Sequence, residues 1–370
     1  MITVEGVRTL DFRNLAGAEL RLDEGVTLLW GPNGAGKTNL LEALYAALTG
    51  RSCRTRSERE MAAFGRPVAR AEATLRDGDE RRELLWSYGR EEGRRHLLNG
   101  SPMTADDGEL RPPVAVFMPD RLELVKGPPS PRRAHLDGFV AALWPARGEP
   151  RRRYSRALAQ RNALLGRVRA GRASADSLDA WDQELALAGV ELIATRAAAV
   201  ATLGPRFATA ATELGLGADA ELRYAPRSGA TDPDELVREL DERRELDLAR
   251  GFSGHGPHLD EIALEVGGRS LRRYGSQGQQ RTALLALLFA ERDALLEERR
   301  QPPLMLLDDV TSELDPERRE LLCARLVAGG GQTLVTATEA AHLPATCPRT
   351  EVAVRAGAVI AAVDGEIEAA

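Results

Sequence analysis

The sequence predicts an α/β fold in which a mixed sheet is assembled from both ends of the chain around a mainly helical insertion. Three observations predict it. A short apolar run over residues 25–30 leads directly into Gly31-Pro32-Asn33-Gly34-Ala35-Gly36-Lys37-Thr38, and apolar positions at helical spacing follow that loop. A second apolar run, Leu304-Met305-Leu306-Leu307, ends in Asp308-Asp309 far along the chain. Between the two, residues 136–250 are rich in Ala, Leu, Arg and Glu at helical spacing, as at Tyr154, Leu158, Arg161, Leu164, Leu165 and Val168. The expected organisation is an N-terminal part of the α/β domain over 1–120, a helical lobe over 121–250 and a C-terminal part of the α/β domain over 251–370.

In chain order, residues 2–10 and 18–22 alternate apolar with polar side chains, as half-exposed antiparallel strands do. Residues 25–30 form a buried strand. Leu40, Leu41, Leu44, Ala47 and Leu48 then mark one face of a helix that Gly50 stops. Residues 66–75 and 83–88 continue a sheet, and residues 114–118 are a further buried strand ending at Pro119-Asp120. Within the insertion, residues 220–224 are strand-like, and Pro226, Gly229 and Pro233 mark a loop before a helix over residues 234–244. Sustained heptads are absent, so the insertion is expected to be a compact lobe and not a long coiled coil. Sheet patterning returns at Ile262, Leu264 and Val266, turns at Gly267-Gly268, and resumes at Leu271 and Tyr274. Ser276-Gln277-Gly278-Gln279-Gln280 opens a helix with Leu284, Leu285, Leu288 and Leu295 on its apolar face, and residues 333–335 form a last strand.

Composition narrows the function classes. At 370 residues the chain can hold two cores, and 29% charged with 43% hydrophobic residues describes an ordinary globular protein. A net charge of -6 means that any nucleic-acid surface must be a local arginine patch on an acidic body. Cys53, Cys323 and Cys347 have neither zinc-site nor disulfide-framework spacing. No signal peptide and no apolar run of membrane-spanning length is read from the sequence, so the expected compartment is the cytoplasm.

The glycine loop carries the chemistry. Its spacing is G-x-x-x-x-G-K-[ST], in which backbone N–H groups wrap a polyphosphate, the lysine reaches the outer phosphates and the hydroxyl takes a metal site. The chain has two lysines, Lys37 and Lys126, against a background of arginine. A compact ammonium at position 37 fits the phosphate cage, whereas a planar guanidinium fork does not. The duller reading, a glycine turn with a surface lysine, does not account for strand, loop and helix coming in this order. Side chains alternate along a strand, so Asp308 is assigned to Mg²⁺ with Thr38 and Asp309 to the attacking water; the alternative for Asp309 is a cap on the following turn. Ser276 before Gly278 makes a second anion-seeking helix start, which alone would read as an ordinary N-cap.

These residues together resemble the ABC-type ATPase heads, and more closely the RecF family of recombinational repair proteins. The resemblance rests on Phe12-Arg13-Asn14, the loop from Gly31 to Thr38, Arg132-Arg133 with Leu136-Asp137, and Tyr154. It continues through Gln160-Arg161-Asn162, Trp181-Asp182, Gly256-Pro257-His258 with Asp260, the signature Ser276 to Arg281, and Leu306-Leu307-Asp308-Asp309. It implies a weak, DNA-stimulated ATPase using ATP and Mg²⁺. Two copies would dimerise when ATP is held between one copy's phosphate loop and the signature Ser276, Gln277, Gly278, Gln279 and Gln280 of the other, with Asp315 in the D-loop. It further implies action on gapped DNA or single-strand/double-strand junctions with RecR and RecO, helping to load a recombinase. Transporter-type heads place glutamate at the position of Asp309 and histidine where this chain has Thr336-Ala337-Thr338, which suggests slow hydrolysis. They also carry a glutamine near residue 120, where Asp120 stands as the candidate substitute.

Candidate DNA contacts are Arg51, Arg54, Arg56 and Arg59, and Arg151, Arg152 and Arg153 with neighbours Arg147 and Arg156, although arginine runs are usually solvated faces. His255, His258 and Asp260 lack a further ligand nearby and are read as structural. Two other functions remain open: a scaffold that uses ATP as a structural ligand, and a small-molecule kinase, which the signature helix disfavours.

Overall fold

The structure, a computed structural model, describes residues 1–360 apart from Ala105 and Glu313, with the backbone alone at Asp106, Asp120 and Arg121. These residues form two compact units, one comprising Met1–Arg121, Glu213–Gly215 and the chain from Leu295, the other Leu122–Thr212 with Leu216–Ala294.

The first unit contains two six-stranded sheets. One is antiparallel, in the order Glu19–Arg21, Ile2–Leu10, Val68–Asp77, Glu80–Gly89, Gly93–Leu98 and Ser101–Pro102. The other runs Ala358–Ile360, Thr350–Arg355, Val26–Trp30, Thr333–Ala337, Leu304–Leu307 and Val114–Phe117, and is parallel except for its terminal hairpin. Parallel central strands are buried on both faces, which explains the uninterrupted apolar runs at residues 26–30 and 304–307. The helix Lys37–Thr49 packs against strands of both sheets, and its side chains belong to the same core as Phe12, Trp86, Leu306 and Val354. The sequence marks one apolar face on it; the structure buries ten of its side chains, Glu42 among them.

The second unit holds the helices Pro129–Leu143, Glu149–Arg169, Asp179–Glu213, Pro233–Asp241 and Arg244–Arg250. Its sheet is small and antiparallel, in the order Arg269–Ser270, Glu261–Val266 and Ala220–Ala225. The division therefore does not fall at residue 250. Strand Glu261–Val266 pairs along its length with Ala220–Ala225, so residues 251–294, including the start of the helix Gln277–Arg299, group with the lobe. Leu271–Tyr274 is a short helix where sheet pattern was expected.

Residues 175–213 contain a stretch long and apolar enough to cross a membrane by length and composition, which the sequence reading passed over. More than half of the apolar window is buried inside the protein. Mid-helix Arg196 donates to Asp137 at 2.8 and 3.0 Å and to Asp260 at 2.9 Å, so this is a core helix. Arg161, fully buried, is likewise held by Asp182 at 2.5 Å, and by Asp247 and Ser253 at 2.7 Å each. Buried charges persist only when paired and hydrogen-bonded, and here they tie distant helices of the lobe together.

Candidate nucleotide site

The phosphate loop connects the strand Val26–Trp30 to the helix Lys37–Thr49 at the carboxyl end of the parallel sheet. Gly31 is required by close approach, because a Cβ there would lie 2.1 Å from the Val354 carbonyl oxygen. Gly36 has φ 112°, and a Cβ would meet Leu15 Cδ2 at 2.9 Å and Asn14 Oδ1 at 3.0 Å. Gly36 is also the N-cap and brings no side-chain acceptor, so the first N–H groups of the helix lack a capping partner and favour an anion. Asn14 donates to the Gly34 carbonyl at 2.9 Å and accepts from Asn39 at 2.7 Å, which fixes the outer edge of the loop.

Lys37 is 8% exposed, and its Nζ is folded back onto the carbonyls of Gly31 at 2.6 Å and Pro32 at 3.0 Å. Burial holds its pKa below the ordinary lysine value, against the opposing pull of Asp308 and Asp309. Thr38 donates to both carboxylate oxygens of Asp308, at 2.9 and 3.0 Å. Asp308 ends the strand Leu304–Leu307, is buried, and has its pKa raised by that burial despite hydrogen bonds from Thr336 and Thr38. The hydroxyl of Thr336 donates to Asp308 Oδ1 at 2.8 Å and accepts from the backbone N–H of Asp309 at 2.9 Å. Asp309 is half-buried and left-handed, with φ 48°. The pairing of Thr38 with Asp308, all oxygen donors beside a lysine, suits a hard divalent cation next to a polyphosphate.

A buried carboxylate anchors the wall beside the loop. Glu42, fully buried in the helix Lys37–Thr49, accepts a fork from Arg13 at 2.8 and 3.0 Å and a third bond from Arg54 at 3.2 Å. Arg54 also donates to Asn39 at 3.0 Å, and its charge acts on Asp308. The structure therefore turns this residue, a candidate DNA contact in sequence, toward the phosphate loop. A basic cavity of about 830 Å³ opens there, lined by Arg13, Asn14, Asn39, Arg54, Phe64 and Arg90 among others.

The signature lies in the second unit. Exposed Ser276 and half-buried Gln279 form a reciprocal cap on the helix Gln277–Arg299: Gln279 N–H donates to Ser276 Oγ at 3.2 Å, and Ser276 N–H to Gln279 Oε1 at 2.9 Å. Gln280 donates to the Leu271 carbonyl at 2.9 Å, while Gln277 is exposed and Gly278 half-buried. Asp315 caps the helix Pro316–Ala328 by accepting from Arg318 N–H at 2.9 Å. Arg51 and Arg56 are exposed. The second arginine cluster is matched by acid: Arg151 meets Asp137 at 3.1 Å, Arg152 meets Glu149 at 2.6 Å, and Arg153 meets Glu191 at 3.3 Å. The side chain of Asp120 lies outside the described residues. His258 donates from Nε2 to the Ser253 carbonyl at 3.0 Å and accepts from Tyr154 at 2.7 Å, while His255 meets Glu239 at 2.5 Å.

Sequence reasoning missed Glu42, the role of Thr336 and the pairing of Arg161 and Arg196 with their aspartates. The available signals were a threonine at the end of an apolar strand and charged residues on otherwise apolar helix faces.

A parallel sheet with a phosphate loop on one strand, a carboxylate pair on another and one strand between them defines an ATPase head of the ABC/SMC class. Comparison with known proteins narrows this. The sequence model of the RecF/RecN/SMC N terminal domain matches residues 3–356. The DNA replication and repair protein RecF of Deinococcus radiodurans is 40% identical, covering 92% of this chain and 91% of its own length. That of Heliobacterium modesticaldum is 36% identical over 93% and 94%. A solved structure of the recombination mediator protein RecF with ATP, from the RecFOR pathway, superposes with TM-score 0.84 at 27% identity, over 97% of both chains. An Smc head bound to the C-winged helix domain of ScpA gives TM-score 0.59 at 14% identity over 96% of both chains, a likeness of fold alone. The chain belongs to the RecF family.

Proposed function

We propose that this protein is an ATP-gated DNA-binding clamp of recombinational repair and a weak ATPase that acts as a switch. The observation that carries the reading is the meeting of Lys37, Thr38 and Asp308 at one loop, three groups whose combined chemistry is that of a nucleoside triphosphate with a divalent cation. Thr38 and Asp308 would hold Mg²⁺, which supplies charge neutralisation at the phosphates when bound. Lys37 leaves the Gly31 and Pro32 carbonyls and turns its ammonium to the outer phosphates. The basic cavity beside Asn14 and Asn39 receives the nucleoside end. Asp309 orients the attacking water, and its short side chain suits slow turnover.

The exposed Ser276 cap is an anion site presented on the surface of the second unit, and it serves the nucleotide of a second copy. ATP favours the dimer only to the extent that it binds the dimer better than the monomer, and contact from both copies supplies that difference. Closure brings arginines to DNA at gaps or single-strand/double-strand junctions. Arg51 and Arg56 are the better candidates, since Arg151, Arg152 and Arg153 already face carboxylates. A relative acts in the RecFOR pathway, which supports RecO and RecR as partners in loading a recombinase in the cytoplasm.

The test is fluorescence anisotropy of a gapped duplex with and without ATP and Mg²⁺. Binding is expected to need ATP and to weaken steeply with salt, each phosphate contact adding about -0.9 to the log–log slope. Equal affinity without nucleotide would remove the gating.

A further inference from the structure

We propose that Thr336 is a positioning residue that couples the metal carboxylate to the catalytic carboxylate, one hydroxyl holding both Asp308 and Asp309 in place. The proposal rests on the reading of Asp308 and Asp309 given above. The strand Thr333–Ala337 lies between the phosphate-loop strand and the strand that ends in the two aspartates, with Leu307 paired to Val335 and Thr336 paired to Leu29. This register brings the hydroxyl of a 1% exposed side chain between the two catalytic elements. Its proton goes to Asp308 Oδ1 at 2.8 Å, and its lone pair receives the N–H of Asp309 at 2.9 Å. The proton and one lone pair are both taken up by the site.

The geometry assigns different duties to the two threonines that meet Asp308. Thr38 donates its proton to Asp308 at 2.9 and 3.0 Å and keeps its lone pairs to meet a cation, so it serves both the carboxylate and the ligand. Thr336 lies on a central strand and turns both of its bonds to the two aspartates. Its bond orients the carboxylate from the protein side whether or not a cation is bound. Its second bond acts on the backbone. Asp309 sits at φ 48°, a conformation that costs a non-glycine residue energy and persists when its surroundings hold it. The hydrogen bond to Thr336 is such a hold, so the direction of the Asp309 side chain depends on the residue that orients Asp308.

The experiment compares Thr336→Val, which keeps the shape and removes the hydroxyl, with Thr336→Ser, which restores it, and with Thr336→Ala as a second hydroxyl-free form. Binding of a fluorescent ATP analogue is titrated with Mg²⁺ from a chelated start, and turnover is measured separately at saturating ATP and Mg²⁺. In the valine and alanine forms, metal-free affinity should stay within about twofold of the parent, while the Mg²⁺ midpoint rises about tenfold and kcat falls by at least that factor. The serine form should lie close to the parent in both. An unchanged Mg²⁺ midpoint in valine and alanine forms that melt like the parent would overturn the proposal. So would a serine form as impaired as valine, since the methyl and not the hydroxyl would then matter. If the parent binds ATP with Mg²⁺ but shows no turnover, the ATPase reading fails while the Mg²⁺ midpoints still decide the role of Thr336.

Discussion

Replacing Lys37 with methionine separates a lysine that serves the fold from one that serves a ligand. The ammonium makes two hydrogen bonds to carbonyls, at 2.6 and 3.0 Å, and is 8% exposed. If these bonds were structural, each would be worth up to about 1.5–3 kcal/mol, the range for bonds from charged groups. Burial works against them by disfavouring the charged form, as the direction of the pKa shift says. Methionine fills a similar volume and relieves that burial. The stability of the ligand-free variant should therefore stay within about 1 kcal/mol of the parent. With ATP the two diverge. At a concentration of about 100 times Kd, ATP stabilises the parent by about 2.7 kcal/mol. Losing an ammonium–phosphate contact of about 2.7 kcal/mol weakens binding about 100-fold, and the same ATP then stabilises the variant by only about 0.4 kcal/mol. At roughly 2–4 °C per kcal/mol, the ATP-induced rise in Tm should shrink from about 5–11 °C to 1–2 °C. Differential scanning fluorimetry with and without ATP reads both quantities. A variant that melts far below the parent without ATP, yet keeps the full ATP-induced rise, would refute the reasoning and make Lys37 a structural tether.

Asp309→Asn should bind ATP within a few-fold of the parent while phosphate release becomes undetectable; equal turnover would remove the catalytic assignment. Gly31→Ala should destabilise the first unit by well over 1 kcal/mol in urea unfolding, because its Cβ would stand 2.1 Å from the Val354 oxygen. Arg161→Leu removes the buried partner of Asp247 and leaves Asp182 with Arg244 alone, and about 3 kcal/mol should be lost in the same assay. Burial, aided by the Arg133 charge, keeps the His258 pKa below its ordinary 6.5. The unfolded chain then takes up this proton at a higher pH than the folded one, so the histidine costs stability in acid and not in base. His258→Gln should ease the fall in unfolding free energy between pH 6.5 and 5 by up to about 1.4 kcal/mol per pH unit.

The parts of the site that follow from local chain chemistry are legible in the sequence. Residues 25–50 announce strand, glycine loop and helix within one stretch, and Asp308 stands out because a carboxylate at the end of an apolar strand is unusual. What depends on pairing across the sheet is not legible. Thr336 becomes a site residue only because its strand lies between two others, an order that residues 333–337 do not encode by themselves. The all-round burial of the helix Lys37–Thr49 is of the same kind, since a one-sided apolar pattern cannot foretell a second sheet. Arg54 illustrates the limit of reading arginine runs: it is exposed like its neighbours, yet Glu42, hidden in an apolar helix, draws it to the loop. Glu261–Val266 has the pattern of a strand, yet its partner in the lobe decides which unit it belongs to.

In the proposed clamp, ATP joins two copies through Lys37 of one and Ser276 of the other. Sedimentation velocity of Asp309→Asn, with and without ATP and Mg²⁺, decides this when set beside the same protein carrying Ser276→Arg. Asp309→Asn should be a monomer without nucleotide and a dimer with ATP, and a monomer under both conditions once Ser276 is replaced, although that form still binds ATP. A protein that remains monomeric with ATP bound, or a dimer indifferent to Ser276→Arg, would rule the clamp out.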